Sequence, residues 1–487
     1  MRDPVDSLRR RSSWLVGRGC AAFALLALAG SPLGAATIAV TSTQDDETVD
    51  SLCTLREAID AANGDVAHHG CASGSGADRI VFSLATPATI TLTDDLPLVT
   101  DTLLIRGPGA DLLTIDGQDQ FSLVRAFSGG SARFWMGVED VTLTNGLAVG
   151  GYGGAVEFPS RVSGLVRRVA MVGNHAPENG GGVSAIGIDT PPTLLEVESC
   201  WFAGNDAKRG GGLAAEGDQL GVHVDRTTFY SNTATGDVGD GGGLHAYRST
   251  TRLTSSTFSG NTAADFGAGV SFRTDSLGVG SLDIRDSTIT LNVSDGDHDG
   301  TGGGAVAVTS IVGEAPPALG LDNTIVAGNL DSGVPAEPDV SIPAGPVTVT
   351  GTFDLIGSNA GATSYFSSGS PNAGGSYVGT DALPINPRLE ALALYNGVLP
   401  THRPSLTPLS PAVDAGFCPD AIGDQRGFGD AANHVRVVDI GGVPDGPSSD
   451  GCDIGSHERG GSTGADVALF VDGFENGHTL IWSDEAP

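Results

Sequence analysis

The chain has 487 residues, of which 39% are apolar, enough for a sizeable core without staples. Acidic side chains outnumber basic ones 58 to 25 for a formal net charge of −33, with a single lysine, Lys208, so a surface for nucleic acid or another polyanion is excluded. Glycine reaches 73 residues without a collagen period, which calls for tight and repeated turning.

In chain order, Arg9, Arg10, Arg11 and Arg18 precede the apolar run CAAFALLALAG (20–30) and the small residues Gly34, Ala35 and Ala36. This pattern predicts a signal peptide over 1–36, and its apolar run is too short for a membrane-spanning helix. No later segment has the length and apolarity of such a helix. Export permits disulfides, and with Cys20 inside the signal the economical pairs are Cys53 with Cys71 and Cys418 with Cys452, leaving Cys200 as a buried free thiol.

Residues 37–117 read as an N-terminal cap and first coils. In CTLREAIDAAN (53–63), Thr54 can cap a helix with Glu57 at its third position, Leu55, Ile59 and Ala62 form one apolar stripe, and Asn63-Gly64 stops it. The runs RIVFSL (79–84), TITL (89–92), TLLIRG (102–107) and LTIDG (113–117) supply the first strands.

Residues 118–333 carry a repeat. Asn145, Asn174, Asn205, Asn232, Asn261, Asn292 and Asn329 recur with a period of about 30 residues. Three positions before the Asn, from Asn174 onward, stand Met171, Phe202, Phe229, Phe258, Ile289 and Val326, and two further back stand Val169, Cys200, Thr227, Ser256, Ser287 and Thr324. That alternation is a strand period, and each Asn is followed by a polar loop and a glycine cluster such as GGGL (210–213) or GGGL (241–244). The pattern describes one coil of a parallel β-solenoid per repeat, with Phe202, Phe229 and Phe258 stacked inside and the asparagines laddered through their amides. The fold class is therefore all-β, a parallel β-helix with a short N-terminal capping helix. Residues 334–460 read as irregular final coils and 461–487 as a linker and tail.

The segment 53–117, with CTLREAIDAAN, DRIVF and LLTIDG, resembles the CSLREA domain of secreted bacterial β-helix proteins. Residues 141–333, with FAGN, FYSN and FSGN before glycine clusters, look like the repeat of chlamydial polymorphic outer-membrane proteins, while VGNH (172–175), ITLN (289–292) and VAGN (326–329) are degenerate copies. NPRL (386–389), LSPAVDAG (409–416), DQRG (424–427) and DIGSHE (453–458) look like a choice-of-anchor domain of the Q type, and LFVDGFENG (469–477) resembles a GFE-containing tail of exported proteobacterial proteins. The resemblances imply a right-handed helix and an extracellular or bacterial outer-surface location, and they bring no catalytic residue set. Unlike the chlamydial proteins, this chain shows no series of alternating strands for a membrane barrel after Gly460.

Chemistry has few candidates. Asp237 and Asp240 share a loop, and Asp295, Asp297 and Asp299 flank His298 in SDGDHDG. This is no EF-hand, because position 306 is Val, so the aspartates read as a solvated turn with Ca²⁺ as the one cofactor to consider. GGSTG (460–464) matches a nucleophile-elbow pattern but lies in a Gly/Ser linker. His68-His69 lacks a Cys or carboxylate at ligand spacing and reads as a surface pair. Trp135, Tyr152 and Trp201 fit core or ladder positions better than sugar stacking, and Asp414, Arg426, Asp453 and Glu458 read as ties between turns. The expected role is a secreted adhesin, display or scaffold protein contacting a cell-surface protein or glycan. The rival is a polysaccharide lyase or glycoside hydrolase using clustered carboxylates.

Overall fold

The computed structural model describes residues 35–459, except 130–132, 237–238, 276–279, 301, 311–315, 344, 396, 420–422, 427–439 and 441–442. The expected signal peptide before residue 35, Asp237, Gly427, the GGSTG stretch and the GFE-type tail lie outside these residues. The described chain is an all-β parallel solenoid of about 8 turns with one short helix. No described helix is long and apolar enough to cross a membrane.

Each coil has a long side, a short side and a third side, and every named strand pairs in parallel with its counterpart one coil away. In one coil these are Leu220–Asp225 with Thr228–Tyr230, then Thr233–Ala234, then Leu244–Tyr247. The register is constant: Met171, Phe202, Phe229, Phe258, Ile289, Val326 and Ile356 stand one above another. The rings of Phe202 and Phe229 stack at 4.4 Å and those of Phe229 and Phe258 at 4.5 Å, all fully buried. Burying each such ring is worth roughly 2 to 3 kcal/mol from area alone.

The glycine clusters follow from the phenylalanines. Their first glycine bends the chain in the left-handed region, as at Gly210 with φ 62°. Their third lies against the ring, where a Cβ on Gly243 would come within 2.7 Å of Phe258 Cδ1.

The asparagines form a ladder inside the corner. Asn205 donates from Nδ2 to Asn232 Oδ1 at 2.8 Å and to the Met171 carbonyl at 3.0 Å, while its own Oδ1 accepts from the backbone N–H of Asn174. The same pattern links Asn232, Asn261, Asn292 and Asn329. Asn145 departs from the expectation: Asn174 bonds the backbone N–H of Gly146, so Asn145 sits one position early, at a left-handed bend with φ 50°.

A second bend divides the long side. Asp140, Arg168, Ser199, Arg226, Ser255, Asp286, Asn323 and Phe353 all take φ between 47° and 59°. The bend leaves the next amide without a strand partner, and a hydroxyl from the following coil accepts it: Cys200 N–H to Thr227 Oγ1, Thr227 N–H to Ser256 Oγ, Ser256 N–H to Ser287 Oγ. Small hydroxyl residues two places before the phenylalanines thus have a polar task as well as a steric one.

Helix α1 (Leu55–Gly64) closes the bottom coil, burying Leu55, Ile59 and Ala62 against the core. Thr54 and Glu57 form the expected capping box, and the left-handed stop is Asp65, one residue later than expected. The two disulfides are Cys53–Cys71 and Cys418–Cys452, and Cys200 is free and buried.

The expected final coils over 334–460 are only partly coils. The last named strand is Tyr377–Val378, and the described residues between 381 and 459 instead lie as a strap along the second half of the long side. Ala170, Trp201, Thr228, Thr257, Thr288, Ile325 and Leu355 point outward there yet are at most 2% exposed. Leu399 packs on Ala170 and Trp201, and Ala412, Ala415 and Ile454 pack on Ile325 and Leu355. Between these apolar ends, Thr228 Oγ1 donates to the Pro400 carbonyl at 2.7 Å, Thr257 Oγ1 meets Thr401 Oγ1 at 3.0 Å and Ser456 Oγ at 2.9 Å, and Ser456 N–H donates to Thr288 Oγ1.

Candidate functional site

Where the chain leaves the coils, segment 381–391 crosses the corner formed by Leu291, Gly328 and Asn329 and encloses a cleft of about 570 Å³. Its walls are apolar, from Pro384, Ile385, Pro387 and Leu389, and its floor is polar, from Asp339, Asn329 and Ser358. Asp381, Glu390 and His402 complete the lining. The size and the mixture of apolar wall and few polar groups suit a small ligand or a short stretch of a larger one.

Three titratable groups of the cleft, Asp339, Glu390 and His402, are committed to structure. Asp339 ends the asparagine ladder: Oδ1 accepts from Asn329 Nδ2 at 2.9 Å and Oδ2 from Ser358 N–H at 2.6 Å. Burial pushes its carboxyl up to about 6. Burial acts the same way on Glu390, but its hydrogen bonds and ion pairs with Arg403 and Arg459, both at 2.6 Å, outweigh it and hold the carboxyl below its ordinary value. His402 uses both ring nitrogens, Nε2 with Ser259 Oγ at 2.9 Å and Nδ1 with the Glu390 carbonyl at 2.8 Å, and burial lowers its pKa. Asp381 stands exposed at the rim. A hydrolase of the common kind needs one carboxylic acid and one carboxylate, both free to reach the scissile bond. Asp339 and Glu390 offer neither.

The predicted acidic loop lies elsewhere, at the other end of the short side. Asp295, Asp297 and Asp299 bring carboxylate oxygens within 4.8 Å of one another. They also close their own turn, Asp295 Oδ1 accepting from Gly300 N–H at 3.1 Å and Asp297 Oδ1 from Asp299 N–H at 3.3 Å. Asp240 is buried and paired with Arg273 at 2.6 Å.

Other expected residues have structural positions. Trp201 is buried beneath Leu399 and stacked on Tyr230 at 5.8 Å, so it presents no face to a sugar. Cys200 lies in the hydroxyl ladder with Sγ 3.4 Å from the Val166 carbonyl, and burial pushes its thiol up to about 12, far from a reactive thiolate. Asp414, Asp453, Glu458 and Arg426 knit the strap to itself: Asp414 N–H donates to Asp453 Oδ1, Asp453 N–H to Glu458 Oε2, and Arg426 to the Glu458 carbonyl and to the buried Asp424.

Two residues of consequence escaped the sequence. Asp339 ends the asparagine ladder, and Asp354 stands in the hydroxyl ladder, accepting from Thr324 N–H at 3.0 Å with its carboxyl raised well above the ordinary value by burial. For Asp354 the signal was available, since it occupies the place of Thr324 one coil later, two residues before Ile356. Asp339 follows its asparagine by ten residues and had no such signal.

Compared with protein-family models and with curated proteins, the chain matches none.

Proposed function

We propose that the chain is an exported, surface-displayed β-solenoid that binds a cell-surface glycan or protein without transforming it, with the cleft under segment 381–391 as its binding site. The commitment of Asp339, Glu390 and His402 to structural bonds carries this reading, because it leaves apolar walls, a polar floor and the single exposed carboxylate of Asp381 but no acid and base pair. The resemblances of residues 53–117 to a CSLREA domain and of residues 386–458 to a choice-of-anchor domain support the export and the bacterial surface location. About 8 turns at roughly 4.8 Å each make a rigid rod on the order of 40 Å long, suited to holding a binding surface away from its attachment.

The test is a screen of residues 37–487 against acidic and neutral polysaccharides and cell-surface proteins, with and without Ca²⁺, recording binding and new chain ends together. The proposal expects a binder that is left uncleaved and is lost on Leu389→Asp, which puts a charge on the cleft wall. Cleavage abolished by Asp381→Asn or by Asp297→Asn replaces the display reading with that of a carbohydrate-active enzyme.

A further inference from the structure

His68 and His69 have no carboxylate beside them in the sequence, but the fold brings several. The Cys53–Cys71 disulfide and the bond from Cys71 N–H to the His68 carbonyl at 2.9 Å fold the loop after helix α1 back onto the segment before it. Glu47 on that segment then meets both rings, with Oε2 3.0 Å from His68 Nε2 and 3.8 Å from His69 Nδ1. Glu57 Oε1 approaches His69 Nδ1 to 2.8 Å, held there because its Oε2 accepts the Thr54 N–H of the capping box. Asp60, nearly one turn further along the helix, adds a third carboxylate near Glu47 and His68.

Distances and charge favour the same occupant. Ligands about 2.0 to 2.1 Å from a tetrahedral Zn²⁺ lie about 3.3 to 3.4 Å from each other, and the two Glu47 separations bracket that edge. The donor atoms of Glu47, His68 and His69 all fall within 4.8 Å of one another. Three carboxylates, from Glu47, Glu57 and Asp60, gather around the two imidazoles, a concentration of negative charge that a bound cation offsets. The adjacent guanidinium of Arg56 is turned to Asp45, bonded to it at 3.1 and 2.9 Å. Imidazole nitrogens with carboxylate oxygen suit Zn²⁺ and its transition-metal neighbours, whereas Ca²⁺ and Mg²⁺ take oxygen.

We propose that Glu47, His68 and His69 form a Zn²⁺ site on the N-terminal cap, in which His69 Nδ1 binds the metal in place of its contact with Glu57 Oε1 and the fourth coordination position is open to solvent. The side chains are 44%, 33% and 21% exposed, so an ion enters without any opening of the fold. The metal joins the segments on either side of helix α1, beside the disulfide that already links them, and is a second clasp on the cap that does not depend on redox state. This site is independent of the proposed cleft.

The experiment uses the purified full chain stripped with a chelator and titrated with Zn²⁺ by calorimetry, with melting followed in parallel. The expected result is one saturable Zn²⁺ per chain and a melting temperature that rises with Zn²⁺ concentration. His68→Ala and Glu47→Gln should each weaken binding by more than about tenfold, leave metal-free melting unchanged, and abolish the four-coordinate visible absorption of the Co²⁺ form. Absence of saturable uptake by the wild type overturns the site. So does unchanged affinity in both variants, since other histidines of the chain then account for the uptake.

Discussion

The coils and the strap lie against each other along one flank, yet they find their partners by opposite rules. A side chain in the coils meets its own counterpart one repeat away, Phe202 on Phe229 or Asn205 on Asn232, 27 residues on. A side chain in the strap meets residues far away along the chain, 143 positions for Ser259 with His402 and 199 for Thr257 with Ser456. Local repetition makes the coils self-templating, because each rung is set by the rungs on either side of it. The strap has no repetition to fall back on and depends on the finished coils for its docking surface.

Breaking a coil should therefore cost most. Phe229→Ala removes the middle ring of the stack and leaves a cavity that rigid neighbouring coils cannot fill, for an expected loss of about 3 to 5 kcal/mol in denaturant unfolding. A loss below about 1 kcal/mol would show that the coils relax around the gap. Asn232→Ala removes one rung, leaving the Asn205 N–H, which Asn232 Oδ1 accepts, and the Phe202 carbonyl without side-chain partners, at an expected cost of about 1 to 3 kcal/mol.

The ladder termini sharpen the comparison through pH. Asp339 is raised to about 6 in the folded chain against an ordinary value of 3.8, so the folded state holds the extra proton between those values. This group's contribution to stability is full below the unfolded value and is lost as pH rises through about 6. In unfolding curves taken from pH 4 to 7, the stability of wild type relative to Asp339→Asn should fall as pH rises. A difference independent of pH would mean that the buried carboxylate is charged throughout.

The strap gives the smallest effect. Thr257→Ala deletes a hydroxyl shared by Thr401 and Ser456 and should cost about 1 kcal/mol. The change should appear as faster hydrogen exchange at the Thr401 amide, bonded to the Ala393 carbonyl, with coil amides unaffected.

These rules also explain what could be read from the chain. The asparagine and phenylalanine ladders, the glycine clusters, the capping box and both cysteine pairs were legible because each is local or periodic. The strap was not, since Thr228, Thr257 and Thr288 look like ordinary outward strand residues, and nothing at Thr401 or Ser456 marks them as partners. The cleft shared that fate, being formed from a ladder end and a crossing segment 381–391. The imidazole and carboxylate cluster was hidden for a related reason, because Glu47 reaches His68 only after a disulfide closes the intervening helix.

The most direct measurement is hydrogen exchange of the full chain against a chain ending at residue 380. The strap account predicts that protection falls at residues 228–230, 257–259 and 288–290 on the covered flank while residues 220–225 and 244–247 of the open sides keep theirs. Unchanged exchange on that flank would contradict the account and return residues 381–459 to the role of final coils.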